Sequence, residues 1–196
     1  MGTSDLLAYW LPAGSFALGA ALVALGTRPR ARLIFQRFRD GYLRLASRKT
    51  LACLVVGALT IGLRLALLPI WPKPTPRVYD EFSYLLMADT FASGRLTNPS
   101  PPHWEHFETV FVQLWPTYQS PYPVAQGILL AIGKAFFGHP WWGVVLEMGL
   151  FAAAICWMAQ AWLPPGWALL GTLLGVLQFG LASYWMNSYW GEARLR

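Results

Sequence analysis

"LACLVVGALTIGLRLALLPIW" occupies Leu51–Trp71. Apart from Thr60 and Arg64, every residue in it is apolar, small or proline. Wound as a helix at about 1.5 Å per residue, the run is roughly 30 Å long, the thickness of a bilayer's hydrocarbon core. The whole chain has the same character. Of its 196 residues, 56% are hydrophobic and 12% charged, where soluble domains carry about a quarter charged residues. The fold class read from this is an all-α integral membrane protein.

Just upstream lie Arg28, Arg30, Arg32, Arg37, Arg39, Arg44, Arg48 and Lys49, between Leu51–Trp71 and an earlier apolar run, Leu6–Gly26. Basic residues between spans stay on the cytoplasmic side. Residues 27–50 are therefore expected to form a cytoplasmic loop against anionic headgroups. The net charge of +6 then reflects topology, and no nucleic-acid partner is expected. Leu6–Gly26 has no basic segment before it, so it reads as a span and not as a signal peptide.

Downstream, residues 72–140 are expected outside the cytoplasm, as a loop with surface helices at 80–93 and 124–137. Five of the nine acidic residues fall in it, Asp80, Glu81, Glu105 and Glu108 among them. A loop this long is usually functional. Val124–Phe137 is shorter than a span and carries Lys134, which favours an interfacial helix. Residues 141–163 then run inward, 167–185 outward, and the tail 186–196 emerges on the outer side. That makes about four transmembrane helices in a single membrane domain, 1–196. If 124–137 crosses instead, the last two spans invert and the tail is cytoplasmic.

Several charged or reactive groups need an explanation. Arg64 and Glu147 lie inside apolar runs, each roughly 10 Å below the outer surface in the four-span reading, where charges are paired or functional. They are expected to pair, with Arg64 also a candidate anion site. Asp80 and Glu81 open a helix, where carboxylates suit the positive dipole end. Neighbours on a helix diverge by about 100°, so at most one of them acts as a base. His103 and His106, spaced i, i+3, are candidate ligands for a divalent metal, although the pattern is also common on solvated surfaces. Cys53 and Cys156 both fall inside apolar runs, so no structural disulfide is expected, and neither has the ligand spacing of a metal site. Trp104, Trp115, Trp141 and Trp142 read as an aromatic belt at the interface.

Three segments carry a resemblance: "YDEFSYLLMADTFASGRLTNP" (79–99), "PTYQSPYPVAQGILLAIGKAFFGHPWWG" (116–143) and "SYWMNSYWGE" (183–192). Together they resemble lipid-linked glycosyltransferases of the GT-C fold, in the protein O-mannosyltransferase and aminoarabinose-transferase group. The likeness spans roughly Leu51 to Glu192. It implies a multi-pass protein of the bacterial inner (plasma) membrane. It also implies hexosyl or pentosyl transfer from a polyprenyl-phosphate sugar to an acceptor on the extracytoplasmic face.

The family's catalytic acid falls on Asp80, with Glu81 beside it. Tyr122, Pro123 and Gln126 match the loop that closes the site, and Asn187, Tyr189 and Trp190 match a tail motif. Arg64, Lys134 or a bound metal are candidates to stabilise the phosphate leaving group. Val124 stands where the family has a second proline, and Gly191-Glu192 where it often has Gly-Gly. Family members continue through further spans, so the expectation is a shortened transferase, or one working with a partner subunit that supplies helices. The alternative is a non-enzymatic membrane scaffold or assembly subunit whose basic segment binds anionic lipid.

Overall fold

The structure is a computed structural model that describes residues 29–180 and 184–190. The expected span at 6–26 and the end of the tail lie outside the described residues. The chain divides into two compact units, Met1–Ser47 and Arg48–Arg196. In the first, residues expected as a loop form one helix, α1 (Pro29–Ser47).

The second unit holds α2 (Lys49–Ala66), α3 (Tyr79–Ala92), α4 (Val124–Phe137), α5 (Trp141–Trp162) and α6 (Pro165–Gly175). Among the described residues, α2 and α5 are long and apolar enough to cross a membrane. Helix α2 stops five residues short of the expected end. Pro69 lacks an N–H and disfavours helical geometry in the residue before it. The chain leaves instead through a turn in which Trp71 N donates to Leu67 O at 2.7 Å.

Helices α2 and α5 run antiparallel. Gln160 reaches Lys49 O and Cys53 Sγ at one end of the pair, and Arg64 lies over the Trp141 ring at the other. Between these ends the backbones meet at Gly57 and Gly149. A Cβ on Gly57 would sit 2.8 Å from Gly149 O, so only glycine allows this approach, the small-residue packing usual between helices in lipid. Cys53 and Cys156 are both free, as expected.

The α4–α5 corner is tighter still, since a Cβ on Gly143 would lie 2.1 Å from Leu129 O. Helix α4 has the expected bounds, and it buries Leu130 and Ala131 within the unit. Tyr84, Leu130, Trp141, Val144 and Tyr189 form the core beside it. Trp141 is fully buried, which corrects its assignment to an interfacial belt: its indole Nε1 donates to Met186 O.

Helix α6 starts with Pro165 in its first turn, where a missing N–H costs nothing. It is α-helical only to Gly175 and continues as a π turn, Val176–Gly180. The continuous helix expected over 167–185 is therefore shorter. A 3₁₀ turn, Tyr184–Asn187, follows.

Candidate functional site

Helix α3 divides the two acidic residues of its first turn between two tasks. Glu81 is 2% exposed. Its Oε2 accepts from Arg77 N at 2.7 Å and Val78 N at 3.2 Å, which caps the helix start. Its Oε1 accepts from Tyr189 N at 3.0 Å. Val78 is the N-cap residue, and it offers no side-chain cap. A carboxylate holding three N–H groups is a structural clamp.

Asp80 is half-buried, and these three donors go to Glu81 instead. The Tyr122 hydroxyl donates to its Oδ1. The Tyr122 ring in turn stacks on Tyr84 with centroids 5.1 Å apart. One turn further into α4, Gln126 stands beside Glu147.

Arg64 is fully buried. It donates to Trp71 O at 3.0 Å, Pro72 O at 3.4 Å and Asn187 Oδ1 at 2.9 Å. Its guanidinium carbon lies 4.7 Å from the Trp141 ring centroid. The expected Arg64–Glu147 pair does not form. In the antiparallel register Arg64 is level with Trp141, six residues or about 9 Å along α5 from Glu147. Arg64 thus ties the end of α2 to the tail motif.

Lys134 pairs with Asp89 at 2.5 Å on a solvent-facing edge. Asp89 lies nine residues, roughly 13 Å, along α3 from Asp80. Lys134 is therefore not gathered with the Asp80–Tyr122 pair. The His103 and His106 rings are exposed with centroids 6.4 Å apart. Among the described residues no group of three or more His, Cys, Asp or Glu is placed to hold a metal.

The Tyr189 hydroxyl donates to Pro74 O at 2.8 Å. Burial first, and the Glu81 charge second, push this phenol up to about 12, so it stays a donor at working pH.

Sequence reading missed the pair Ser83–Ser120. Their hydroxyls lie 2.7 Å apart, and Ser83 Oγ also donates to Phe111 O. These bonds fasten the loop before Tyr122 to α3. The only trace of them is a serine in each of two of the quoted segments.

A mostly apolar cleft of about 770 Å³ opens between α2, α4, α5 and α6, lined by Thr60, Leu129, Glu147, Phe151, Thr172 and Val176. Its polar corner is Glu147, and the neighbouring Gln126 stands one turn from Tyr122.

His139 sits in the turn before α5, where its Nδ1 accepts from Trp141 N at 3.2 Å. Burial, and then the Lys73 charge, hold its pKa below the ordinary 6.5. A base whose folded pKa is depressed takes up its proton first in the unfolded chain. Its contribution to stability is complete above pH 6.5 and falls as the pH drops below that value. The melting temperature is expected to be lower at about pH 5 than at about pH 7. His139→Gln, which keeps an acceptor without the titration, should shrink that difference.

Comparison with protein-family models, with curated proteins and with solved structures finds no match to this chain.

Proposed function

We propose that this chain is a membrane glycosyltransferase-like protein. It moves a sugar from a polyprenyl-phosphate donor to an acceptor hydroxyl or amine on the extracytoplasmic face. One observation carries the reading. The three sequence-distant segments that bear the resemblance meet in one place, through Tyr122–Asp80, Ser83–Ser120 and Tyr189–Glu81.

In this reading Asp80 is the general base. It is the acidic residue of the pair left without a structural clamp, and Tyr122 orients it. The acceptor's proton passes to Asp80 Oδ as the acceptor attacks the anomeric carbon and the lipid phosphate departs. The cleft ending at Glu147 takes the donor's lipid chain, with the phosphate toward Tyr122. The antiparallel run of α2 and α5 supports a topology in which α4 does not cross, and the basic residues before α2 argue that the Asp80 loop lies outside. It argues against the reading in which α4 crosses, which would make α2 and α5 parallel.

The test is transfer of labelled sugar from a panel of polyprenyl-phosphate donors by membranes containing the chain. Asp80→Asn is expected to lower the rate about a hundredfold to ten-thousandfold, the usual contribution of a positioned base. The parent and variant melting curves should coincide. A cysteine at exposed Ser93, with Cys53 and Cys156 replaced, should react with an impermeant maleimide in intact cells. A folded parent that transfers nothing, or an Asp80→Asn variant as active as the parent, overturns the reading and leaves the scaffold alternative.

A further inference from the structure

Helix α1 has the sequence PRARLIFQRFRDGYLRLAS, with five arginines and one aspartate in 19 residues. A helix of that length is about 28 Å long and could reach across a hydrocarbon core. Its charge forbids that path, because each arginine at the bilayer centre is strongly unfavourable. Spacing of 100° per residue places Ile34, Phe35, Phe38, Tyr42 and Leu45 within an arc of roughly 100°. Arg37 and Arg44 lie beyond one edge of this arc, and Arg39 beyond the other. Leu33 and Leu43 interrupt the opposite, otherwise polar, face.

The apolar arc is open where the described side chains begin. Ile34 is 70% exposed, Phe35 66% and Phe38 72%. Three bulky apolar side chains this exposed need a cover, and the flanking charges state its chemistry. A water-soluble apolar partner would not require arginines at both margins. The surface of an anionic bilayer does, because it offers acyl chains below and negative headgroups at the level of the guanidinium groups. Arg39 shares its charge with Asp40 at 3.2 Å, and Arg44 Nε donates to Asp40 O. Asp40 sits on the polar side, so the pair does not intrude on the apolar arc.

We infer that α1 lies in the plane of the membrane interface, with Ile34, Phe35 and Phe38 in the acyl boundary and its arginines on anionic phospholipid headgroups. The inference does not depend on the transfer reading. It makes residues 29–47 a lipid-binding segment one residue before the start of α2.

The test uses the full chain reconstituted in vesicles, with Cys53 and Cys156 replaced and an environment-sensitive fluorophore on a single cysteine. One probe replaces Phe38, on the apolar arc, and another replaces Gln36, on the polar face. In phosphatidylcholine vesicles with about a third phosphatidylglycerol, the Phe38 probe is expected to be blue-shifted and shielded from an aqueous quencher. The Gln36 probe should stay quenchable. Each arginine near an anionic surface favours attachment about fivefold. The triple variant R37Q/R39Q/R44Q should therefore reduce the docked-to-undocked ratio about a hundredfold, and the Phe38 probe becomes quenchable. Shielding of Phe38 that is equal in pure phosphatidylcholine, or that survives in the triple variant, overturns the inference in favour of a protein contact. A Phe38 probe as quenchable as Gln36 in anionic vesicles overturns it outright.

Discussion

Glu81→Ala is expected to destabilise the second unit by about 3–5 kcal/mol, on the scale of hydrogen bonds to a buried charge. The carboxylate is 2% exposed, so solvent screening does little to discount that figure. Its removal strands three N–H donors, those of Arg77, Val78 and Tyr189. An unsatisfied buried donor costs about 1–3 kcal/mol, and a typical domain has only about 5–15 kcal/mol in hand. The damage has a predicted location. Tyr189 N loses its acceptor, so the segment at 184–190 should detach before the helices separate. Ser188 is 1% exposed, so a cysteine there, in the background lacking Cys53 and Cys156, should resist maleimide in the parent. In Glu81→Ala it should react rapidly while the tryptophan emission of the bundle is still native-like. Glu81→Gln should be only a partial remedy, because the amide NH₂ must point at an N–H donor. Asp80→Ala, by contrast, breaks one bond at a half-buried site and should move stability by less than about 1 kcal/mol. If Ser188→Cys stays protected in Glu81→Ala, the clamp is not what holds the tail.

How much of this was legible in the sequence differs from residue to residue. Hydropathy and length located α2 and α5, because a run of apolar residues states its own extent. The divergence of Asp80 and Glu81 was legible too, since it follows from helix geometry alone. Which of the two turns inward was not. That depends on Tyr189 N, 108 positions along the chain, and no local pattern encodes it. Pairing Arg64 with Glu147 failed for a related reason. Depth was counted from the ends of apolar runs, whereas the true register is set where Gly57 meets Gly149. The basic segment before α2 was read by charge, which hid the apolar period of Ile34, Phe38 and Leu45 between the arginines. Residues 167–185 read as one continuous helix from hydropathy, which does not register the switch to a π turn at Val176.

Arg64→Ala is the second large effect, and it probes how the first helix of the unit is joined to its last described segment. Among the described residues no carboxylate pairs with this guanidinium. Its charge is shared among the carbonyls of Trp71 and Pro72, the Asn187 amide oxygen and the Trp141 ring. Trp141 in turn donates to Met186 O at 3.3 Å, so Arg64 and Trp141 grip the same short turn from two sides. Truncation to alanine removes a fully buried side chain, leaves acceptors unpaired and opens a cavity beneath Trp141. The expected loss is about 3–5 kcal/mol, read as a lower melting temperature in detergent. Arg64→Lys should recover little of it. One ammonium cannot span three separated acceptors, and it has no plane to stack on the indole. The decisive comparison is the cycle with Asn187→Ala. Residues that share a bond should couple by about 0.5–3 kcal/mol, and independent ones within about 0.5. Strong coupling means that Arg64 acts by holding the tail motif against the end of α2, at the same turn that Glu81 clamps from α3. Additive losses would mean that Arg64 stabilises the α2 terminus alone, and the tail is then held by Glu81 and Trp141 without it. The two first-turn carboxylates of α3 and the one buried arginine of α2 therefore have separable tasks. Arg64 and Glu81 build the floor on which the tail rests, whereas Asp80, which takes the Tyr122 hydroxyl and none of the tail's bonds, is the carboxylate that the proposed transfer would use.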